Sequence, residues 1–391
     1  MTQSNRMKSA VAGFGVAALL AGAAQAGDGK VVIDDKAPVA EPEAWTFCNL
    51  FDYSTLYEND QGPINEISLI GRYHGQWHSV DSNQGSDTDW ENRRFRFGTE
   101  IVFLDDFTFE GQFNLKRDFD EPGRFFDSVE DLTIAWEPND EFYLIVGKQK
   151  AKVSREWSTS SKRIKTMERS LIINQTVADK MGGVVAGYNL TDKLWIEGGI
   201  YTGAWTNDGW NLPDFNGDIG ASARIGYDLT ESTEVRFDYL YTAGAGVDAG
   251  TEEYEHVFSW NTQSEFGDLS LVTDVIYASG IDNANNSDVF GVVVMPYYAL
   301  TEDLEAVFRY QYVTSDSDTG VRLQSRYERA GGAAPLNTRG DSYNAFYLGL
   351  NYYICDDKLK LMTGVEYATL EAPGSSDWDG WTYWAGVRMY F

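Results

Sequence analysis

The sequence has no long apolar run beyond its first 26 residues, and it has few histidines, cysteines, prolines and basic residues. A helix that crosses a membrane needs about 20 apolar residues in a row, so the remainder of the chain predicts no such helix. Only three histidines occur, and no spacing of cysteine and histidine fits a metal motif. The 31 lysines and arginines are outnumbered by 60 acidic residues, which gives a net charge of −29. This balance argues against nucleic-acid binding, because that function needs a basic surface.

Residues 1–26 have the features of a secretory signal peptide. Arg6 and Lys8 supply the positive start, Val11–Ala24 is short and apolar, and the chain then reads Ala-Gln-Ala to residue 26, which fits a cleavage site. Removal of this segment would change the net charge from −29 to −31. An uncleaved anchor is the alternative interpretation.

Residues 27–63 predict a periplasmic N-terminal extension, acidic and rich in proline at first and then aromatic from Trp45 to Tyr57. We expect the aromatic part to dock on the domain that follows. The two cysteines are Cys48 in this extension and Cys355 near the C-terminus. An exported location permits a disulfide between them, but the sequence does not give the Cα separation that such a bond requires.

Residues 64–391 repeat one unit, in which about ten residues alternate apolar and polar before a turn. Small acidic or glycine-containing links between such runs are typical of hairpins. Seven short turns alternate with eight longer connections, and together they predict sixteen strands. The short turns lie near 104–107, 138–140, 190–193, 229–232, 266–269, 300–304 and 355–358. The longer connections lie near 79–89, 118–125, 151–179, 206–215, 244–251, 280–287, 316–339 and 372–377.

The alternation predicts an all-β fold, a transmembrane antiparallel β-barrel with a water-filled interior. In Val235–Tyr241 the apolar side chains share one face, and Arg236 and Asp238 point the other way. A soluble β-sandwich also alternates, but here the strands are long and rich in Tyr and Trp. The final strand ends in Phe391, which resembles the C-terminal signal by which the barrel-assembly machinery recognises outer-membrane proteins. An even strand number puts both chain ends on the side of the short turns, which is periplasmic in bacterial barrels.

Strand parity points several arginines into the lumen. They are Arg72, Arg94, Arg96, Arg224, Arg236, Arg309 and Arg388. Arginine stays charged and presents several donors, which suits transient binding of phosphate or carboxylate. The alternative is that these arginines pair with lumen carboxylates and only make the wall rigid. Parity sends Arg93 outward unless it lies beside a bulge.

A basic segment, residues 147–170, reverses the sign of this acidic chain. Its cations are Lys148, Lys150, Lys152, Arg155, Lys162, Arg163, Lys165 and Arg169. The segment enters the longest connection, 151–179, and we expect that connection to fold inward as a constriction loop. A solvated surface loop is the alternative. Within it, Ser161 is a candidate N-cap for a short helix over residues 162–169.

Two stretches resemble the phosphate-selective porin O/P family. They are Trp90–Glu100, WENRRFRFGTE, and the segment from Val146 to Ser170, with Gly-Lys-Gln, Ser-Ser and Met-Glu-Arg-Ser in order. The resemblance implies a sixteen-stranded, homotrimeric outer-membrane porin with the third loop folded inward. By position, Arg93 and Arg94 match the family's constriction arginines, and Lys148 to Arg169 match its basic third-loop region.

These observations predict a passive channel in the outer membrane of a Gram-negative-type bacterium, surrounded by lipid. Small anions such as phosphate, or small polar solutes, are the expected cargo. A non-selective or cation-preferring porin is the alternative, because the net charge and many loops are acidic. No Gly-x-Ser-x-Gly nucleophile elbow occurs, so an enzyme is not predicted, and no cofactor or metal is expected.

Overall fold

The computed structural model describes residues 46–116, 125–178, 180–204, 219–242, 254–280, 287–324, 327–329 and 338–391. The predicted signal peptide and the extension up to residue 45 lie outside these residues. So do most of the predicted connections near 118–125, 206–215, 244–251 and 280–287. Within the described ranges, no helix is both long and apolar enough to span a membrane.

Sixteen antiparallel strands form a closed barrel, as the alternation predicts. Each strand pairs with its neighbour along the chain, and the last strand pairs with the first barrel strand, so the sheet has no free edge. The barrel strands are β2 (Ile64–Ser82), β3 (Gly85–Phe103), β4 (Phe107–Leu115), β5 (Phe126–Trp136), β6 (Phe142–Gln149), β7 (Met181–Thr191), β8 (Leu194–Ala204), β9 (Ile219–Thr230), β10 (Thr233–Thr242), β11 (His256–Phe266), β12 (Leu269–Ser279), β13 (Val289–Ala299), β14 (Leu304–Ser315), β17 (Ser342–Cys355), β18 (Leu359–Glu371) and β19 (Trp378–Tyr390). Outside the barrel sequence lie β1 (Thr55–Glu58), β15 (Val321–Arg322), β16 (Arg339–Gly340), a 3-10 helix (Phe47–Ser54), and the helices α1 (Arg155–Ser158) and α2 (Leu171–Thr176).

Alternation sorts the side chains between the two faces of the barrel. In β10, Phe237 on the outer face is 47% exposed, whereas Arg236 and Asp238 are buried on the inner face. In β19, Trp381 and Tyr383 point outward, whereas Trp384 points inward. The outer face is therefore apolar and aromatic, as a lipid-facing surface requires.

The seven short turns fall where the sequence predicts them, between β3 and β4 and at the equivalent ends of later strand pairs. The predicted connection 79–89 is wrong. β2 continues to Ser82 and β3 begins at Gly85, so two residues join two strands of 19 residues each. The polar residues of this hairpin are typical of a loop, but in the structure they lie in extended strands.

Residues from Thr46 onward form one compact unit, and the division of the chain into an extension 27–63 and a barrel 64–391 stays a prediction. Strand β1 pairs with β2 at Ser68 and Glu66, just beyond the point where β19 stops pairing with β2. A disulfide joins Cys48 to Cys355, with the two Cα atoms 5.4 Å apart. This bond fixes the N-terminal segment to the turn between β17 and β18.

The chain ends against Gly71. The Phe391 amide donates to the Gly71 carbonyl, and the Gly71 amide donates back to the carbonyl of Phe391, at 3.2 and 3.0 Å. A Cβ at position 71 would lie 2.2 Å from the Phe391 ring, so glycine leaves the room that this ring occupies. The role of Phe391 as an insertion signal stays a prediction.

The connection between β6 and β7 folds into the barrel as the predicted third loop. Its helices lie at α1 and α2, and residues 162–169 form turns instead of the predicted helix. The N-cap is Ser154, whose hydroxyl accepts the Trp157 amide at 3.1 Å, and not Ser161. Tertiary contacts of the lysines and arginines in 162–169 replace the local helix.

Candidate functional site: the lumen and its inward loop

An apolar cluster holds the third loop against the inner wall. In α2, Leu171, Ile172 and Ile173 are at most 1% exposed, and they pack against wall residues of several strands. A Cβ at Gly291 in β13 would lie 2.8 Å from Ile172, so a glycine makes this close approach possible. The wall members include Leu240, Val257, Ile276, Val293, Val313, Tyr343, Leu370 and Trp378. This part of the interior is packed, so only the remaining lumen has room for solutes.

Arg93 points inward, because a β-bulge lies at its position. His74 of β2 faces Arg94, and the next residue, Gly75, faces Asn92, so Arg93 is the extra residue of β3. Its guanidinium binds the Glu168 carboxylate of the third loop at two points, 2.7 and 3.1 Å. Sequence parity alone sends Arg93 to lipid, and the bulge reverses that outcome.

The Met-Glu-Arg-Ser motif anchors the loop on both sides of Glu168. The Met167 carbonyl accepts an N–H of Arg388 at 2.7 Å. Arg169 donates to the carbonyls of Glu156 and Thr159 at 2.8 and 2.7 Å and is 5% exposed. The Ser170 hydroxyl donates to the Glu156 carboxylate. All four residues of this motif therefore hold the loop in place.

Many of the predicted cations have an acidic partner. Arg309 is 2% exposed and binds Glu156 and Glu366 at 3.2 and 2.9 Å. Such buried pairs neutralise the cation locally. The other pairs are Arg96–Glu130, Lys152–Glu197, Arg155–Glu234, Lys165–Glu305, Arg224–Glu197, Arg224–Asp238 and Arg236–Asp238, at 2.6–3.4 Å.

Three neighbouring strands carry a row of basic side chains without such partners. Arg388 of β19, His74 of β2 and Arg94 of β3 stand directly opposite one another, and Arg72 lies opposite Arg96 one step along. Among the described residues, neither Arg72 nor Arg94 nor Arg388 has a carboxylate oxygen within 4.0 Å. Arg72 donates to the hydroxyl of Ser161 on the third loop. We call Arg72, Arg94 and Arg388 the arginine row.

Two arginines of the row, and His74 beside them, have donors without a hydrogen-bond partner. Arg72 Nε and Nη2, Arg388 Nε and Nη1, and His74 Nε2 are buried and have no hydrogen-bond partner among the described residues. Arg72, Arg388 and His74 are 4%, 1% and 0% exposed. Buried donors are rarely left unpaired, so each of these groups can still accept a hydrogen-bond partner.

The remaining basic residues of the third-loop region differ in exposure. Lys148 is 3% exposed and donates to the Val129 carbonyl at 2.7 Å. Lys150 donates to the carbonyl of Trp157 at 3.1 Å and lies over its ring. Arg163 is exposed. This part of the loop therefore presents its charge at Lys162 and Arg163.

Lys162 and Lys165 have opposite electrostatic settings. Burial, and then the charge of Arg72, lower the pKa of Lys162 to about 8, and its Nζ lies 4.9 Å from the centre of the Tyr390 ring. Burial also opposes the charge on Lys165, but Tyr353 and Glu305 raise its pKa above the ordinary value. Lys162 is thus a loop cation whose charge changes near pH 8.

Carboxylates lie close to the arginine row. Glu100 of β3 stands opposite Glu110 of β4, and Gln112 stands opposite Asp131 of β5. Glu110 and Asp131 are 6% and 8% exposed. The lumen wall therefore has a cationic stretch beside an acidic one.

Sequence reasoning missed several lumen residues. Lys180 binds Glu130 at 2.6 Å, and Lys360 binds Asp357 at 2.8 Å. Tyr327 lies inside the barrel, in a connection that reads as a polar loop. Strand parity could have identified Lys360, because Lys360 of β18 stands opposite Arg388 of β19, which parity directs into the lumen. No local signal marks the other two.

Residues 69–211 match the family of phosphate-selective porins O and P. The fold is similar to that of the outer-membrane channel DcaP of Acinetobacter baumannii, with 10% identity, 86% of this chain and 99% of that chain covered, and a TM-score of 0.57. It is also similar to the anion-selective porin from Comamonas acidovorans, with 10% identity, coverage of 83% and 99%, and a TM-score of 0.57. For OprB of Pseudomonas putida the values are 11% identity, 83% and 94% coverage, and a TM-score of 0.59. No curated protein sequence matches the chain.

The family match covers the second barrel strand, with its two adjacent arginines, and the whole third loop. The similar structures share the closed barrel over their full length. The predicted resemblance is therefore confirmed over residues 69–211, which are similar to the phosphate-selective porins O and P, and the whole chain has the fold of the outer-membrane porins.

Proposed function

We propose that this porin is a passive channel that prefers small anions, with phosphate-like solutes as its best ligands. The arginine row carries the proposal, because its donors lack carboxylate partners and lie on adjacent strands beside the third loop. Planar guanidinium groups bind phosphate and carboxylate oxygens in pairs. Weak binding at such a site speeds entry and still allows release.

The arrangement assigns different roles to the predicted cations. Arg72, Arg94 and Arg388 meet the anion, and Lys162 and Arg163 supply positive charge from the loop. The cations that have acidic partners keep the loop and the wall in position. The proposal further includes a homotrimer in lipid, with both chain ends on the periplasmic side.

The test is the zero-current potential of single channels in a KCl gradient, followed by titration with phosphate. We expect an anion-sign potential and a fall in chloride current as phosphate is added. Arg94→Gln and Arg72→Gln should each reduce the anion preference, because each removes a positive charge from the arginine row. Neither change leaves a buried carboxylate without its ion-pair partner. Lys193→Gln, which removes one positive charge from an exposed short turn between β7 and β8, is the matched control and should leave the preference unchanged.

A cation-preferring channel is the second candidate, and the carboxylates opposite each other at Glu100 and Glu110 favour it. It predicts a cation-sign potential without phosphate block, and a loss of that sign in Glu100→Gln. That pair of results would overturn the anion proposal.

A further inference from the structure

A second part of the chain enters the barrel, in the connection between β14 and β17. We call residues 321–324 and 327–329 the second inward segment. Val321 and Leu323 are 0% exposed and belong to the apolar cluster around α2. Tyr327 and Glu328 are 3% and 2% exposed. Connections usually run over the surface, so this depth of burial marks an element of the lumen.

Its own hydrogen bonds fix the second inward segment. The Glu328 carboxylate accepts the Gln324 amide and the Tyr343 hydroxyl, both at 2.8 Å. The Leu323 amide donates to the Thr338 carbonyl at 3.0 Å, next to the short β15–β16 pair. The segment is therefore held at a defined depth.

The second inward segment also binds the third loop. The Gln324 side chain donates to the Arg169 carbonyl at 3.1 Å and accepts from the Asn174 amide at 3.0 Å. The backbone amide of Arg322 donates to Gln175 at 3.0 Å. The two inward elements therefore form one assembly inside the lumen.

Tyr327 fills the gap between this assembly and the wall made by β19, β2 and β3. Its ring centre lies 5.6 Å from that of Trp384 and 4.8 Å from that of His78. Its hydroxyl accepts an N–H of Gln76 and lies 3.0 Å from an oxygen of Glu168, the carboxylate that also binds Arg93. The space left behind it, bordered by Trp384 and Tyr347, is about 10 Å³, room for about one water molecule.

We propose that Tyr327 is a size-determining residue of the channel. Its ring closes the part of the lumen between the third loop and the wall at Gln76, His78 and Trp384, and so narrows the channel through which solutes reach the arginine row. This inference rests on the proposed channel, but it is independent of the channel's preference for anions.

The test is single-channel conductance together with the largest neutral sugar that enters protein-containing liposomes. Tyr327→Ala should raise the conductance by roughly twofold and admit a larger sugar, because pore width controls both. Tyr327→Phe keeps the ring and should conduct like the wild type. The matched control is Tyr352→Ala, which removes a tyrosine that is 47% exposed on the outer face of β17, and it should change neither measurement.

Wild-type conductance in a folded Tyr327→Ala barrel would overturn the inference. So would an equal increase in Tyr327→Phe, because the hydroxyl and not the ring would then be responsible. If Tyr327→Ala does not fold, Tyr327→Leu replaces it, and a smaller increase is expected. A cation-sign potential in the wild type would refute the anion proposal alone, whereas the absence of channels would refute both.

Discussion

At the scale of single residues, the partner decides what a lumen arginine does. Arg309 and Arg72 both point inward from a strand and are almost fully buried. Arg309 forms ion pairs with two carboxylates, Glu156 and Glu366, so its charge is neutralised and the pairs hold the loop in place. Arg72 faces a hydroxyl, so its field remains available to a solute. Replacing Arg309 would leave two buried carboxylates uncompensated, which costs about 3–5 kcal/mol.

The lowered pKa of Lys162 predicts a pH-dependent anion preference. With a pKa of about 8, this lysine is charged below that pH and becomes neutral above it. The anion-to-cation permeability ratio should therefore fall between pH 7 and pH 9, as the loop loses positive charge beside Arg72, Glu100, Glu110, Asp131 and Tyr390. Zero-current potentials at a series of pH values measure this ratio.

Lys162→Arg is the matched control for this pH dependence. Arginine stays charged over the whole range, so the variant should keep the preference at pH 9 that the wild type loses. The neighbouring carboxylates are the same in both proteins. The difference between the two curves of permeability ratio against pH therefore measures the contribution of Lys162 alone. Identical curves would show that Lys162 has no part in the effect.

At the scale of elements, the third loop is a folded unit with its own core. Helix α2 supplies the apolar contacts, and Glu168 supplies the polar junction to β2, β3 and the second inward segment. The carboxylate of Glu168 also cancels the charge of Arg93, a residue that matches a constriction arginine of the family. In the proposed channel, the loop therefore contributes to both the width and the electric field of the lumen.

Glu168→Gln should increase the preference for anions. A glutamine can still accept from Arg93 and keep the loop near its place, but it no longer cancels the arginine's charge. The permeability ratio should rise by about twofold, because a fixed charge in a narrow lumen strongly affects ion concentration. Zero-current potentials measure the change.

Glu231→Gln removes the same charge from an exposed short turn and serves as the control. It should leave the ratio at the wild-type value. A decreased anion preference in Glu168→Gln would contradict the role given to Arg93.

The sequence predicts those elements whose signals are local. Acidic turns mark the hairpin ends, and strict alternation shows that Arg236 and Arg309 face inward. The bulge at Arg93 escapes prediction, because one extra residue in a strand has no local signature. Ser161 looks like an N-cap, but its hydroxyl binds Arg72 from a strand 89 residues away in the chain. Burial of Tyr327 likewise depends on tertiary contacts alone.

At the scale of the whole molecule, both described ends of the chain meet at the short-turn end of the barrel. β19 stops pairing with β2 at Arg72, and β1 pairs with β2 a few residues further along, at Ser68. The disulfide from Cys48 to Cys355 then joins this segment to the end of β17, on the other side of the closing strand β19 from β2. The place where the sheet closes is therefore reinforced by a strand and by a covalent bond.

Removal of the disulfide should lower stability without changing conduction. For Cys48→Ser/Cys355→Ser we expect the free energy of unfolding to fall by about 2–5 kcal/mol, measured by urea unfolding in lipid vesicles. Single-channel conductance should remain that of the wild type, because the bond lies at the short-turn end and not at the arginine row.

Reductant provides the control for this pair of substitutions. It should destabilise the wild type by the same amount and leave the double variant unaffected. An equal stability in all samples would show that the N-terminal segment adds nothing to the barrel.

The position of the disulfide also makes it a chemical record of assembly. Its two cysteines are 307 residues apart in sequence, and the segment that contains Cys48 pairs with the first barrel strand. The thiols can meet in this arrangement only after the last strands have reached that first strand. The extent of oxidation during folding would therefore show, chain by chain, how many barrels have closed.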